Sequence, residues 1–284
     1  MLEITPSQAE IKTLTRLRQR YPHLVLQDPS LPKLEDMVAA EHQQTDHALL
    51  QLGIDDVRVT PPSQVYGVGA VHRAGPAQSF RYSLPIVEII GMPDAGKSTH
   101  IAHLLADIGT DAILQLPEGA ARIREMAADL KKDDPFAYTQ VSDLSTALLL
   151  SGTIADMPDG TELILPERGM SERIVWRRTH FAMGNTHPGF MELPGYGPVE
   201  SPMVEPAAII LLMCRPEIGQ ARKAERSNPM AFELLHELYR QYWRFHYELM
   251  QGKVKTSHYI CIDAEQEIEE VYQQFREVLD LLLK

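Results

Sequence analysis

Eight consecutive residues constrain this chain more than any others: Gly91-Met92-Pro93-Asp94-Ala95-Gly96-Lys97-Ser98. They follow an apolar run at 86–91 that reads as a short buried strand, and they lead into helical spacing over 97–108. Glycines at both ends let the backbone wrap an anionic group with its N–H donors turned inward. A helix starting at Lys97 adds the positive end of its dipole. Strand, glycine loop, Lys-Ser and helix in that order are the context that makes the pattern specific for phosphate.

The loop therefore predicts bound ATP and Mg²⁺. Lys97 reaches the β- and γ-phosphates, and the Ser98 hydroxyl takes the metal. Gly91, Asp94, Ala95, Gly96 and Thr99 complete the cradle and the first helical turn.

Beyond residue 85 strands and helices alternate. Strands are expected at 112–116, 162–166, 207–214 and 259–262, and helices at 119–131 and 135–151. A long helix is expected from Asn228, an N-cap followed by Pro229. A last one, over 265–283, lines up Ile268, Val271, Phe275, Val278 and Leu282. The rhythm predicts an α/β fold, a five-stranded parallel sheet with helices on both faces, and ligands at the carboxyl ends of the strands.

The first 85 residues read differently. Helical spacing occupies 6–20 and 33–52, and prolines and glycines break the segment 60–84. A short strand or hairpin arm fits 65–71. The expected organisation is a mixed N-terminal extension, 1–85, without assignable chemistry, and a P-loop domain, 86–284.

Other candidates stand at strand ends. Glu167 and Arg168 close the third strand, at the rim that holds the loop in a parallel sheet. There Glu167 can orient Mg²⁺ or its water, and Arg168 can brace a transferring phosphoryl group, or the two form a surface ion pair. Glu118 ends the second strand, either as a general base or as an acidic residue favoured at a helix N-terminus. Arg222 and Arg226 are one helical turn apart, a phosphoryl clamp or a solvated basic face.

Composition removes several classes. A net charge of −12 argues against a nucleic-acid polymer as partner. No apolar run approaches the roughly 20 residues that cross a bilayer. The first residues lack a secretory apolar core, so a cytoplasmic location is expected. Cys214 and Cys261 lie in apolar runs and read as core residues. Phe232, Leu235, Tyr239, Tyr242, Trp243 and His246 share helical spacing and read as core packing. His180 and His187, which bracket an insertion over 181–205, lack the spacing of a metal site.

In order along the chain, the loop, Glu118, Glu167-Arg168 and Arg222–Arg226 resemble the deoxynucleoside kinase and thymidylate kinase branch of P-loop kinases. Glu167-Arg168-Gly169-Met170-Ser171-Glu172-Arg173 is similar to that family's Glu-Arg-Ser…Ser-Asp-Arg segment, with Gly169 for Ser and Glu172 for Asp. Ala224-Glu225-Arg226 through Leu235-His236-Glu237-Leu238-Tyr239 looks like its lid and following helix, and Ile262-Asp263-Ala264 like the end of thymidylate kinases. The resemblance covers roughly 86–284. It implies phosphoryl transfer from ATP to a (deoxy)nucleoside or nucleoside monophosphate, with Glu118 as base on the sugar hydroxyl, and a homodimer. The stretch 117–122 and Asp134-Pro135-Phe136 also resemble P-loop ATPases related to nicotinamide-nucleotide regulators. That implies a switch whose first 85 residues engage a protein partner.

Overall fold

Alternating apolar runs and helical segments do assemble into an α/β sheet in the computed structural model of the chain. The structure describes residues 34–73, 86–109, 113–116, 129, 138, 141, 152, 154–166, 169–184, 206–223, 230–254 and 256–282. In chain order these give helix α1 (Leu34–Gln51), a 3-10 turn at Pro62–Gln64, strands β1 (Val71–Arg73) and β2 (Val87–Gly91), and helix α2 (Lys97–Ile108). Strands β3 (Ile113–Leu116) and β4 (Leu163–Pro166), helix α3 (Met170–Ala182) and strand β5 (Ala208–Met213) follow. Helices α4 (Pro216–Lys223) and α5 (Phe232–Met250), strand β6 (His258–Asp263) and helix α6 (Ile268–Leu282) end the chain's described part.

The strand order puts β2 in the middle. β2 pairs in parallel with β5 and β5 with β6, while β3 pairs in parallel with β4. A parallel bridge between Ile86 and Ile164 joins the two ladders. Parallel register carries the ends of all five strands to one rim: Leu116 opposite Pro166, Gly91 opposite Leu212, and Met213 opposite Asp263. Every residue of β2, β4 and β5 is buried, which is why β4 and β5 read as continuous apolar runs and β2 does so apart from Glu88. Two helical groups cover the sheet, α2 with α6, and α3 with α5 and α1.

The sheet departs from the expected all-parallel one. β1 adds to β6 in the antiparallel sense, Val71 opposite Ile260, and makes the sheet mixed. The expected strand at 65–71 is displaced to this position. Before Val71 the stretch meets the sheet at Val68, which bridges Cys261, and Gly67 and Gly69 turn the chain there with positive φ. The described part of the first 85 residues is thus fastened to the core. Tyr239 donates its hydroxyl to Thr60 O, and Arg244 of α5 pairs with Glu41 and bonds Gln44 of α1.

The helices also depart from expectation in three ways. Helix α5 starts at Phe232, because Ala231 is extended at φ −60°, ψ 137°. Ile268, expected on the buried face of α6, is exposed, while Val271, Phe275 and Val278 are buried as the spacing implied. Helix α3 was not anticipated; it runs to Ala182 and takes the start of the supposed insertion. Leu235, Tyr239, Tyr242, Trp243 and His246 all lie in the core, as do the free thiols of Cys214 and Cys261. His180 sits on α3 with its ring 5.9 Å from that of Trp176, and His187 lies outside the described residues. Among the described residues no helix is long and apolar enough to cross a membrane.

Candidate active site

The loop leaves β2 where β5 lies on one side and β4 on the other. Gly91 is held so tightly against β5 that a Cβ there would lie 2.0 Å from Leu212 O, and its φ is +135°. Only glycine meets both conditions. Asp94 at φ 58° and Gly96 at φ 90° then take left-handed conformations. Such reversals curl successive N–H groups toward one point, a concavity suited to an anion. Gly96 caps α2 without a side-chain hydrogen bond, so the first N–H groups of the helix are not consumed by a capping side chain.

Lys97 folds back over this concavity. Its Nζ donates to Gly91 O at 2.7 Å and Met92 O at 2.9 Å. Ser98 and Thr99 are exposed in the first turn of α2, and Ala95 is buried beneath the loop. The underlying layer is uncharged. Burial pushes the Cys214 thiol up to about 12 and holds the His100 imidazole down at about 4, helped there by the positive charges of His103 and Arg222.

Two carboxylates that the sequence reading did not assign to the site stand beside it. Glu88, buried in β2, accepts N–H bonds from Met170 at 2.8 Å and Ser171 at 3.0 Å. It therefore caps α3, whose own cap residue, Gly169, offers no side chain. Burial raises the Glu88 carboxyl above the usual carboxylate range against these hydrogen bonds, and the charge of Glu172 adds to the rise. The available signal was a carboxylate inside an otherwise apolar strand. Glu172, in the first turn of α3, lies with Oε1 3.7 Å from Lys97 Nζ and accepts the Tyr242 hydroxyl at 3.0 Å.

Arg222 lies on α4 and donates from Nη2 to Ala264 O at 2.8 Å, just past the end of β6. Helix α4 approaches the loop at Gly219, where a Cβ would lie 3.0 Å from Pro93 O. Arg215, at the end of β5, makes a two-pronged pair with Glu265. Asp263 accepts the N–H groups of Ser63 and Glu265, tying the N-terminal segment to this rim.

The structure thus brings together Gly91, Asp94, Ala95, Gly96, Lys97, Ser98 and Thr99, with Arg222 on the neighbouring helix. Glu118, Glu167, Arg168 and Arg226 lie outside the described residues. Glu118 follows Leu116 by two residues and Glu167 follows Pro166 directly, and those two strand ends are in register. Among the described residues no group of three or more His, Cys, Asp or Glu side chains could hold a metal ion.

No protein-family model and no curated protein matches the sequence. Solved structures do match. A deoxyadenosine kinase from M. mycoides, with the products dCMP and a flexible dCDP bound, aligns with a TM-score of 0.54 at 16% identity. The alignment covers 69% of this chain and 98% of that one. Structures of the same kinase with dCTP and with dATP give TM-scores of 0.52 and 0.53 at 18% and 16% identity. They cover 69% of this chain in both cases and 98% and 99% of the kinase. The chain therefore carries a fold like that of deoxynucleoside kinases over 69% of its length.

Proposed function

We propose that this protein is a phosphotransferase that moves the γ-phosphoryl group of ATP to a small acceptor, a (deoxy)nucleoside or a nucleoside monophosphate. The observation that carries the reading is the loop itself. Left-handed Asp94 and Gly96, the open start of α2 and the ammonium of Lys97 converge on one concavity. The fold likeness to deoxyadenosine kinases holding dATP, dCTP and dCMP supports a nucleotide as the guest and a nucleoside-type acceptor.

ATP and Mg²⁺ suit these residues: the loop offers backbone N–H groups turned by left-handed Asp94 and Gly96, the ammonium of Lys97 and an exposed Ser98 hydroxyl. Loop amides and Lys97 would hold the β- and γ-phosphates. Mg²⁺ neutralises charge on the transferred group and draws most ligands from phosphate and water. The exposed Ser98 hydroxyl would complete its shell, with Glu167 behind. Arg168, Arg222 and Arg226 would offset the charge of the moving phosphoryl group, Arg222 after releasing Ala264 O. Glu118 would take the proton of an acceptor hydroxyl. The division at residue 85, a cytoplasmic location and a homodimer belong to the same proposal.

The test is ADP release by the purified protein with Mg-ATP and a panel of nucleosides and nucleoside monophosphates, with Lys97→Ala alongside. Acceptor-dependent release that disappears in the variant supports a kinase and names its substrate. Slow release indifferent to every acceptor would instead favour the regulatory ATPase, with the segment fastened to α5 and β6 as its partner-binding element.

A further inference from the structure

We infer that Glu172 is a resting counter-ion for Lys97, a positioning residue that competes with the nucleotide's phosphates for the ammonium group. The inference deepens the reading of the loop as a nucleotide site and rests on it.

Lys97 Nζ is held on three sides: by Gly91 O, by Met92 O and by the Glu172 carboxylate at 3.7 Å. Two of the ammonium's three N–H donors go to the carbonyls and Glu172 stands within ion-pair distance, so phosphates engage Lys97 in competition with these partners. The two carbonyls are fixed parts of the loop. Of these three partners Glu172 is the carboxylate, and its side chain is only 3% exposed, which leaves little water to screen it. It cannot easily swing away. Helix α3 fixes its backbone, Glu88 fixes that helix start through Met170 and Ser171, and the Tyr242 hydroxyl holds Oε1 itself.

Two consequences follow for a nucleoside di- or triphosphate. Its phosphates must outbid Glu172 on entry, which weakens binding. On exit Lys97 has a charged partner to return to, which favours release of the spent diphosphate. Neutralising Glu172 therefore tightens nucleotide binding, whereas damage to the site would loosen it.

The experiment is titration of Mg-ADP and Mg-ATP into the wild-type chain, Glu172→Gln and Glu172→Asp, with melting temperatures checked for each. Glu172→Gln should bind Mg-ADP about three- to tenfold more tightly, the size of a single ion pair at a separation longer than a hydrogen bond. Glu172→Asp keeps the charge and draws it back by one methylene, so its affinity should fall between the two; it also serves if the Gln variant does not fold. Unchanged or weaker Mg-ADP binding by the folded variants overturns the inference. A wild type that binds Mg-ADP but shows no acceptor-dependent turnover overturns the kinase reading alone. A wild type that binds neither nucleotide overturns both.

Discussion

Glu88 occupies the space in which residue 169 would carry a side chain. A Cβ on Gly169 would lie 2.2 Å from Glu88 Cδ and 2.5 Å from its Oε1. The carboxylate cannot retreat, because it is fully enclosed and bonded to two amides of α3. Strand β2, which feeds the loop, is thereby locked to the start of α3, directly after Glu167 and Arg168. This accounts for glycine where the deoxynucleoside kinases resembled by this segment have serine.

Gly169→Ser should consequently not restore a family-like site. It forces the Glu88 carboxyl group off the Met170 and Ser171 amides and should cost about 2–4 kcal/mol, by overpacking and lost buried hydrogen bonds. Equilibrium denaturation measures this. A neutral effect would mean that Glu88 has somewhere else to go.

His246 should make the protein acid-sensitive. It lies in the core, where its Nε2–H donates to Tyr66 O at 2.8 Å and its Nδ1 faces the Tyr259 hydroxyl. Burial holds this imidazole at about 4, below its ordinary 6.5, and the charge of His72 adds to the effect. A depressed histidine stabilises the fold above the unfolded value and loses that contribution as protons are taken up. From pH 6.5 down to 4 the wild type should lose about 1–3 kcal/mol relative to His246→Gln, which cannot charge. Parallel stability curves for the two proteins would refute the assignment.

Glu237 should act with the opposite sign. Burial pushes its carboxyl up to about 7 from 4.5, against the opposing hydrogen bond from Gln241. A raised carboxyl contributes stability below the unfolded value and loses it as pH climbs through the folded one. Between pH 4.5 and 7 the wild type should decline relative to Glu237→Gln, by about 1–3 kcal/mol across the window. Denaturation midpoints at the two limits are the readout.

Arg244→Met should loosen the N-terminal helix. Arg244 bonds Gln44 Oε1 at 2.7 Å and Glu248 Oε1 at 3.2 Å, and pairs with Glu41. Removing it strands the Glu41 carboxylate, whose side chain is 12% exposed, at a cost of about 2–4 kcal/mol. Hydrogen exchange should rise in α1, with the amides of β5 unaffected. Equal acceleration in both would indicate general unfolding instead.

The sequence alone determined the parts whose physics is local. Glycine positions, a lysine and a serine within eight residues specify a tight loop between strand and helix, because the backbone conformations they permit are set by neighbouring residues. Continuous apolar runs specified the buried parallel strands, since both faces of each must exclude water. Tertiary structure decided what depends on chain segments far apart. Glu88 meets Ser171 across 83 positions and Val71 meets Ile260 across the sheet edge, and no spacing rule connects either pair. In the sequence Glu172 differs from the resembled family's residue only by a methylene. Its partnership with Lys97 exists because the order of the strands sets β2 beside β4, bringing the start of α3 to the mouth of the loop.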